Sequence, residues 1–266
     1  MTAKQSESSP QKMPVLFIGH GSPMNAIEEN EFTAGWIENT RSIPRPKSIL
    51  SISAHWFIPS TRIGVMEHPQ TIHDFYGFPR ELYEQQYPAP GAPELAKRVA
   101  RLVHSVSVEL DDSWGLDHGT WSVLKRVYPA ADIPVTQLSI NYTMPPQYHY
   151  QIGEQLAPLR DEGVLILGSG NMVHNLGAIR FDKLDSCYTW AGEFDEWVSD
   201  RIKDGDYEHV IDTSDLGVTA QLAHPTPDHF LPLLYVLGAS QPDERIQFFN
   251  QKCFAGSITM TSVKIG

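Results

Sequence analysis

The stretch Val15-Leu16-Phe17-Ile18-Gly19-His20-Gly21-Ser22-Pro23 constrains the fold more than any other part of the chain. Four consecutive apolar residues without polar alternation read as one buried strand. Gly19 and Gly21 bend the backbone where that strand ends. Ser22 then Pro23 reads as the N-cap and first position of a helix over 24–37. His20 is thereby set at the carboxyl end of a strand, in the crevice where open α/β sheets place ligands.

The pattern recurs. Residues 48–54 alternate apolar and small polar side chains as a second strand and deliver His55-Trp56 at its end. Residues 164–168 are a fully apolar strand that runs into Ser169-Gly170-Asn171-Met172-Val173-His174. Further strands are expected over 62–66, 106–110, 134–140, 246–249 and 257–263. Helices are expected over 92–103, 121–127, 147–159 and 188–202, and Thr226-Pro227 opens another through Leu237. Two connections stand out. Residues 67–90 carry Phe75, Tyr76, Phe78, Tyr83 and Tyr87 among prolines, a length typical of a functional wall or lid, although a packed aromatic cluster fits as well. Residues 111–120 hold Trp114-Gly115-Leu116-Asp117-His118-Gly119.

Together these elements make an α/β chain: a single three-layer αβα domain over 13–266, around a mostly parallel or mixed sheet. At 266 residues and 41% hydrophobic content it can bury a full core. Residues 1–12 are polar and read as a loose tail. The net charge of −12 argues against nucleic acid or an anionic membrane as a partner. The apolar stretch at 230–239 is too short, and too broken by Pro232, to span a bilayer. Cys187 and Cys253 are far apart and in no C-x-x-C arrangement, which fits a reducing compartment and speaks against a disulfide framework or a thiolate zinc cluster. A cytoplasmic protein is the expectation.

Of eleven histidines, His68, His104, His149 and His209 sit in unremarkable settings, and His224 before Pro225 reads as structural. His73, beside Asp74 in the aromatic loop, could reach a substrate. His20, His55 and His174 each end an apolar strand, so a parallel sheet brings all three to one edge. His118 and His229 lie in loops able to join them. Such a set points to one mononuclear metal ion, and neutral imidazole suits zinc, iron, copper or nickel alike. There is no Walker A run, no H-E-x-x-H and no G-x-S-x-G.

Six short motifs in order, Gly19-His20-Gly21-Ser22-Pro23, Ser53-Ala54-His55-Trp56, Thr71-Ile72-His73-Asp74-Phe75, Trp114 to Gly119, Gly168 to Asn175 and His224-Pro225-Thr226-Pro227-Asp228-His229, make the chain similar to a known family. It resembles the class III extradiol ring-cleaving dioxygenases, and within them the 4,5-DOPA extradiol branch. The resemblance implies a three-layer αβα fold, a catechol and dioxygen as small-molecule substrates, and Fe(II) for ring cleavage, with Zn(II) able to occupy the same site. It implies His20 and His55 as metal ligands, with His229 and His174 completing the sphere. His174 first and His118 second are expected to handle protons, and His73 and Ser22 to meet substrate. Related enzymes commonly pair two histidines with one carboxylate, for which Asp228 and Glu28 are the candidates here. The alternatives are a zinc-dependent hydrolase built on the same histidines, and a non-catalytic metal-binding protein.

Overall fold

The computed structural model describes residues 12–266. Apart from Lys12, whose ammonium lies 2.9 Å from the Glu244 carboxylate, the expected tail lies outside the described residues. The described residues form ten strands: β1 (Val15–Gly19), β2 (Ser48–Ile58), β3 (Arg62–Gly64), β4 (Glu109–Asp111), β5 (Val135–Asn141), β6 (Val164–Gly170), β7 (Ile246–Phe249), β8 (Cys253–Phe254), β9 (Ile258–Thr259) and β10 (Ser262–Ile265). The helices are α1 (Glu31–Thr40), α2 (Arg80–Tyr83), α3 (Pro93–Leu102), α4 (His118–Val127), α5 (Pro146–Leu156), α6 (Thr189–Asp204), α7 (Tyr207–Ile211), α8 (Val218–Ala223) and α9 (Leu231–Ala239).

Eight strands form one mixed sheet in the order β4-β3-β5-β2-β6-β1-β10-β7. Its centre, β5-β2-β6-β1, is wholly parallel, while β3 and β10 join it antiparallel. Both faces of the central strands are buried, which explains their continuous apolar sequences. Val15, Phe17, Leu50, Ile52 and Ile166 pack on one side with α3, α5, α6 and α9. Leu16, Ile18, Ile49, Leu165 and Leu167 pack on the other, with Trp36 of α1 and Trp121 of α4. This is the expected three-layer arrangement in a single α/β domain.

Four local expectations are corrected. The helix expected over 24–37 is a short 3-10 turn, Pro23–Ala26, and then α1, because Asn30 starts a fresh helix. Its side chain accepts from the Phe32 and Thr33 amides, while Thr33 accepts from the Asn30 amide. His55 does not end its strand. β2 continues to Ile58, and its register against β5 shifts between Ile52 and Phe57, so His55 sits in an irregular stretch of the kind that re-aims side chains near functional sites. His118 belongs to a helix rather than a loop, since Asp117 caps α4 through the Thr120 amide. The last expected strand is broken into β9 and β10.

The fifth correction concerns the cysteines. Cys187 and Cys253 are joined as a disulfide, with Cα atoms 5.3 Å apart. Spacing in the chain says nothing of that approach, because the loop before α6 folds back onto β8. Among the described residues, no helix is long and apolar enough to cross a membrane.

Candidate metal centre

The parallel strands bring their carboxyl ends to one edge, and the site is built there. His20 follows β1 directly, with its amide bonded to the Gly170 carbonyl at the end of β6. His229 arrives from the far end of the chain on a 3-10 turn, Pro227–His229, just before α9. Gly170 makes that approach possible: a Cβ there would run into the His229 carbonyl oxygen. The same closeness lets the Asn171 amide donate to that carbonyl at 2.9 Å. Gly119 serves His55 alike, since a Cβ at that position would stand 2.9 Å from the His55 ring.

Rings of His20, His55 and His229 form a nearly equilateral triangle, with centroids 5.1, 5.2 and 5.1 Å apart. Each ring has a polar group behind its Nδ1. For His20 the partner is Ser169 Oγ at 3.0 Å. That hydroxyl donates its one hydrogen to the Gly119 carbonyl at 2.6 Å, so His20 must carry its proton on Nδ1. Asp74 Oδ2 lies 3.2 Å from His55 Nδ1, and Asp228 Oδ2 lies 2.5 Å from His229 Nδ1. His20 thereby keeps Nε2 as a free lone pair, and carboxylates stand behind His55 and His229 as they do behind metal-ligating imidazoles. His20 Nε2 and His55 Nε2 stand 3.1 Å apart. Donors each about 2.0–2.1 Å from one ion stand roughly 3 Å apart. Burial holds His20 and His55 well below the usual imidazole range, and neighbouring histidines push them the same way. Neutral imidazole is the form that binds metal. The residues present fit one mononuclear ion.

Two further histidines stand beside the triangle. The His174 ring stacks on His229, 3.4 Å between centroids and 7° from parallel, and burial holds it too well below the usual range. It lies beside the triangle, although it also comes within ligand range of Asp228 and His229. His118 lies 3.8 Å from the His55 ring. Its amide donates to Asp74 Oδ1 at 2.9 Å and its Nδ1 lies 3.0 Å from Asp74 Oδ2. One carboxylate thus serves His55 and His118 together. Asp74 is kept below the usual carboxylate range: burial alone would raise it, but the His118 contacts prevail. Asp117, wholly buried, is pushed up to about 6 by that burial and then by the Asp74 charge.

Above the triangle lies a cavity of about 500 Å³, walled by Ser22, Phe75, Tyr76, Phe78, Phe181 and Phe254 among others. Tyr76 and Phe181 are 92% and 77% exposed at its mouth. The aromatic loop is thus both wall and packing. Phe75, Tyr76 and Phe78 face the cavity, whereas His73 does not line it: its Nε2 donates to the Gln85 carbonyl at 2.9 Å and its ring packs near Trp121. Ser22 lines the cavity, and its Oγ accepts from the Met24 amide. Asp228 spends its carboxylate on His229, and Glu28 lines a neighbouring groove away from the histidines. The third ring of the triangle is that of His229, and neither carboxylate enters it. The positions of Asp74 and Ser169 behind the rings carry no signal in the sequence beyond Asp74 standing next to His73.

Comparison with known proteins agrees. Residues 14–262 match the family of the catalytic LigB subunit of aromatic ring-opening dioxygenase. The chain belongs to this family. It is 46% identical to a 4,5-DOPA dioxygenase extradiol of Escherichia coli (strain K12), over 97% of this chain and 96% of that one. It is 40% identical to a protein of the same name from Beta vulgaris, over 94% and 95% of the two chains. A crystal structure of an uncharacterized protein from Escherichia coli K12 superposes with a TM-score of 0.84 at 41% identity, covering 96% of this chain and all of that one. As a ring-opening dioxygenase of extradiol type, this family member is an enzyme, which displaces the hydrolase and non-catalytic alternatives.

Proposed function

We propose that the enzyme opens the ring of a catechol beside its diol, with DOPA or a related catechol as substrate, Fe(II) as the working ion and a semialdehyde as product. One observation carries this reading: the imidazoles of His20, His55 and His229 converge at the floor of an aromatic-walled cavity, with two more histidines at hand. His20, His55 and His229 would hold the ion. Bound there, iron supplies Lewis acidity and electron exchange with dioxygen, which zinc, having no redox change, does not.

The chain's own residues supply the rest. Phe75, Phe78, Phe181 and Phe254 sandwich an aromatic ring and exclude water. His174, buried and neutral, takes the proton of a catechol hydroxyl and can return it later in the cycle. His118, backed by Asp74, borders the same cavity and is the second proton carrier. The test is anaerobic Fe(II) reconstitution, verified by metal analysis, followed by air and a catechol panel. Oxygen uptake with a yellow ring-opened product is expected. Iron-bound protein that leaves every catechol unchanged overturns the reading.

A further inference from the structure

The disulfide lies where it can control the cavity wall. Cys187 ends a segment that begins after the 3-10 turn Leu176–Ala178 and carries Ile179, Phe181 and Leu184. Cys253 immediately precedes Phe254. Ile179 and Phe181 on one side of the bridge, and Phe254 and Ile258 on the other, line the metal cavity. The two segments are also stitched by backbone bonds: Arg180 N to Ala255 O, Ala255 N to Leu184 O, Gly256 N to Ser186 O and Tyr188 N to Gly256 O.

Otherwise the outer segment is anchored at its ends, where Ile179 and Tyr188 pack against the core. Residues 181–185 are all exposed, so no buried side chain of theirs anchors that stretch to the core. The turn it grips includes Ala255 at φ 50°, a left-handed conformation that a non-glycine residue keeps only when its surroundings impose it. A segment with few buried contacts and edge hydrogen bonds opens readily. Cys187 is exposed and Cys253 half-buried, so both are within reach of small thiol reagents, and neither belongs to the histidine cluster.

We propose that Cys187–Cys253 is a reversible redox strap: oxidised, it holds Phe181 and Phe254 against the bound catechol; reduced, it lets the outer wall open and substrate binding weaken while the metal stays. The oxidant is hydrogen peroxide. One thiolate attacks the O–O bond and becomes a sulfenic acid as hydroxide leaves and takes up a proton. The second thiolate displaces that sulfenic oxygen, forming S–S; two thiols and one peroxide give one disulfide and two waters. A dithiol reverses the step by exchange. The inference rests on the catechol-cleaving reading above.

The experiment uses the full chain in three states: oxidised, reduced with a dithiol, and as the double variant Cys187→Ser with Cys253→Ser. Alkylation and mass spectrometry count free thiols. Anaerobic binding of 4-methylcatechol to zinc-loaded protein is followed by tryptophan fluorescence, alongside limited proteolysis of segment 180–187 and metal content. Reduced protein and double variant should bind catechol roughly 2- to 12-fold more weakly, the cost of ordering one wall side chain on binding. Both should be cut faster in that segment and hold equal metal. One equivalent of peroxide, added before metal loading, should restore the reduced wild type but not the variant. Equal affinity and equal cleavage in all three states overturns the strap, as does finding both thiols free after peroxide. A failed iron turnover assay with these binding differences intact would refute the dioxygenase reading alone.

Discussion

Replacing Asp74 by Asn tests whether one carboxylate organises both a metal ligand and a proton carrier. Asn keeps the size of the side chain, and its oxygen can still accept from the His118 amide, a bond of 2.9 Å. The charge facing His55 Nδ1 at 3.2 Å and His118 Nδ1 at 3.0 Å is lost. Losing the carboxylate behind His55 should cost roughly 10- to 100-fold in metal affinity, the range usual for groups that back metal-bound histidines. The neutral amide can also present its NH2 to His55, which then moves its proton to Nε2 and blocks the ligand position. Metal affinity is measured by competition with a chromogenic chelator at neutral pH, with circular dichroism confirming the fold. Turnover is then measured at saturating metal, where any remaining loss belongs to His118. An affinity equal to wild type, with normal turnover, would show that Asp74 backs neither histidine.

His174→Gln should retain metal and catechol binding but lose turnover by about 10²–10⁴-fold; depleted metal at equal free-ion concentration would instead make His174 a ligand. Gly170→Ala should drive the 3-10 turn of His229 off β6 and lower both metal content and thermal midpoint, and unchanged values of both would remove the steric argument. His20, His55 and His174 are held below their ordinary value of 6.5 by burial. The unfolded chain therefore takes up protons first, and metal-free protein should be at full stability above pH 6.5 and lose it as pH falls below that value. A thermal midpoint flat from pH 7.5 to 5 would contradict the burial.

The sheet was legible because strands covered on both faces have unbroken apolar sequences, as at residues 15–18 and 164–168. The place of His20 followed from the same fact, since parallel strands finish on one side, whereas His55 lies within β2 and His174 lies beyond the end of β6. What stayed hidden depended on contacts between distant segments. Asp74 sits in an irregular loop, and only folding sets its carboxylate between His55 and His118. Cys187 and Cys253 are 66 positions apart, and no spacing rule encodes a loop turning back on β8. The interruption at 27–30 was missed because Asn30 caps through a hydroxyl partner, Thr33, rather than the acidic one usual in a capping box. His55 lies inside β2 because the strand resumes its pairing with β5 at Phe57 after a register shift that no apolar alternation announces.

The triangle of imidazoles draws on the first strand, the second strand and a turn in the last fifth of the chain. No local fragment can assemble it, so the ion binds native protein and scarcely the unfolded chain. Each tenfold excess of free metal over its dissociation constant then adds about 1.4 kcal/mol to the folded state. The same arrangement makes ion release a probe of large-scale opening. Exchange of a labelled ion should slow with conditions that favour the whole domain, and its rate would report the breathing of the first strand against the C-terminal third.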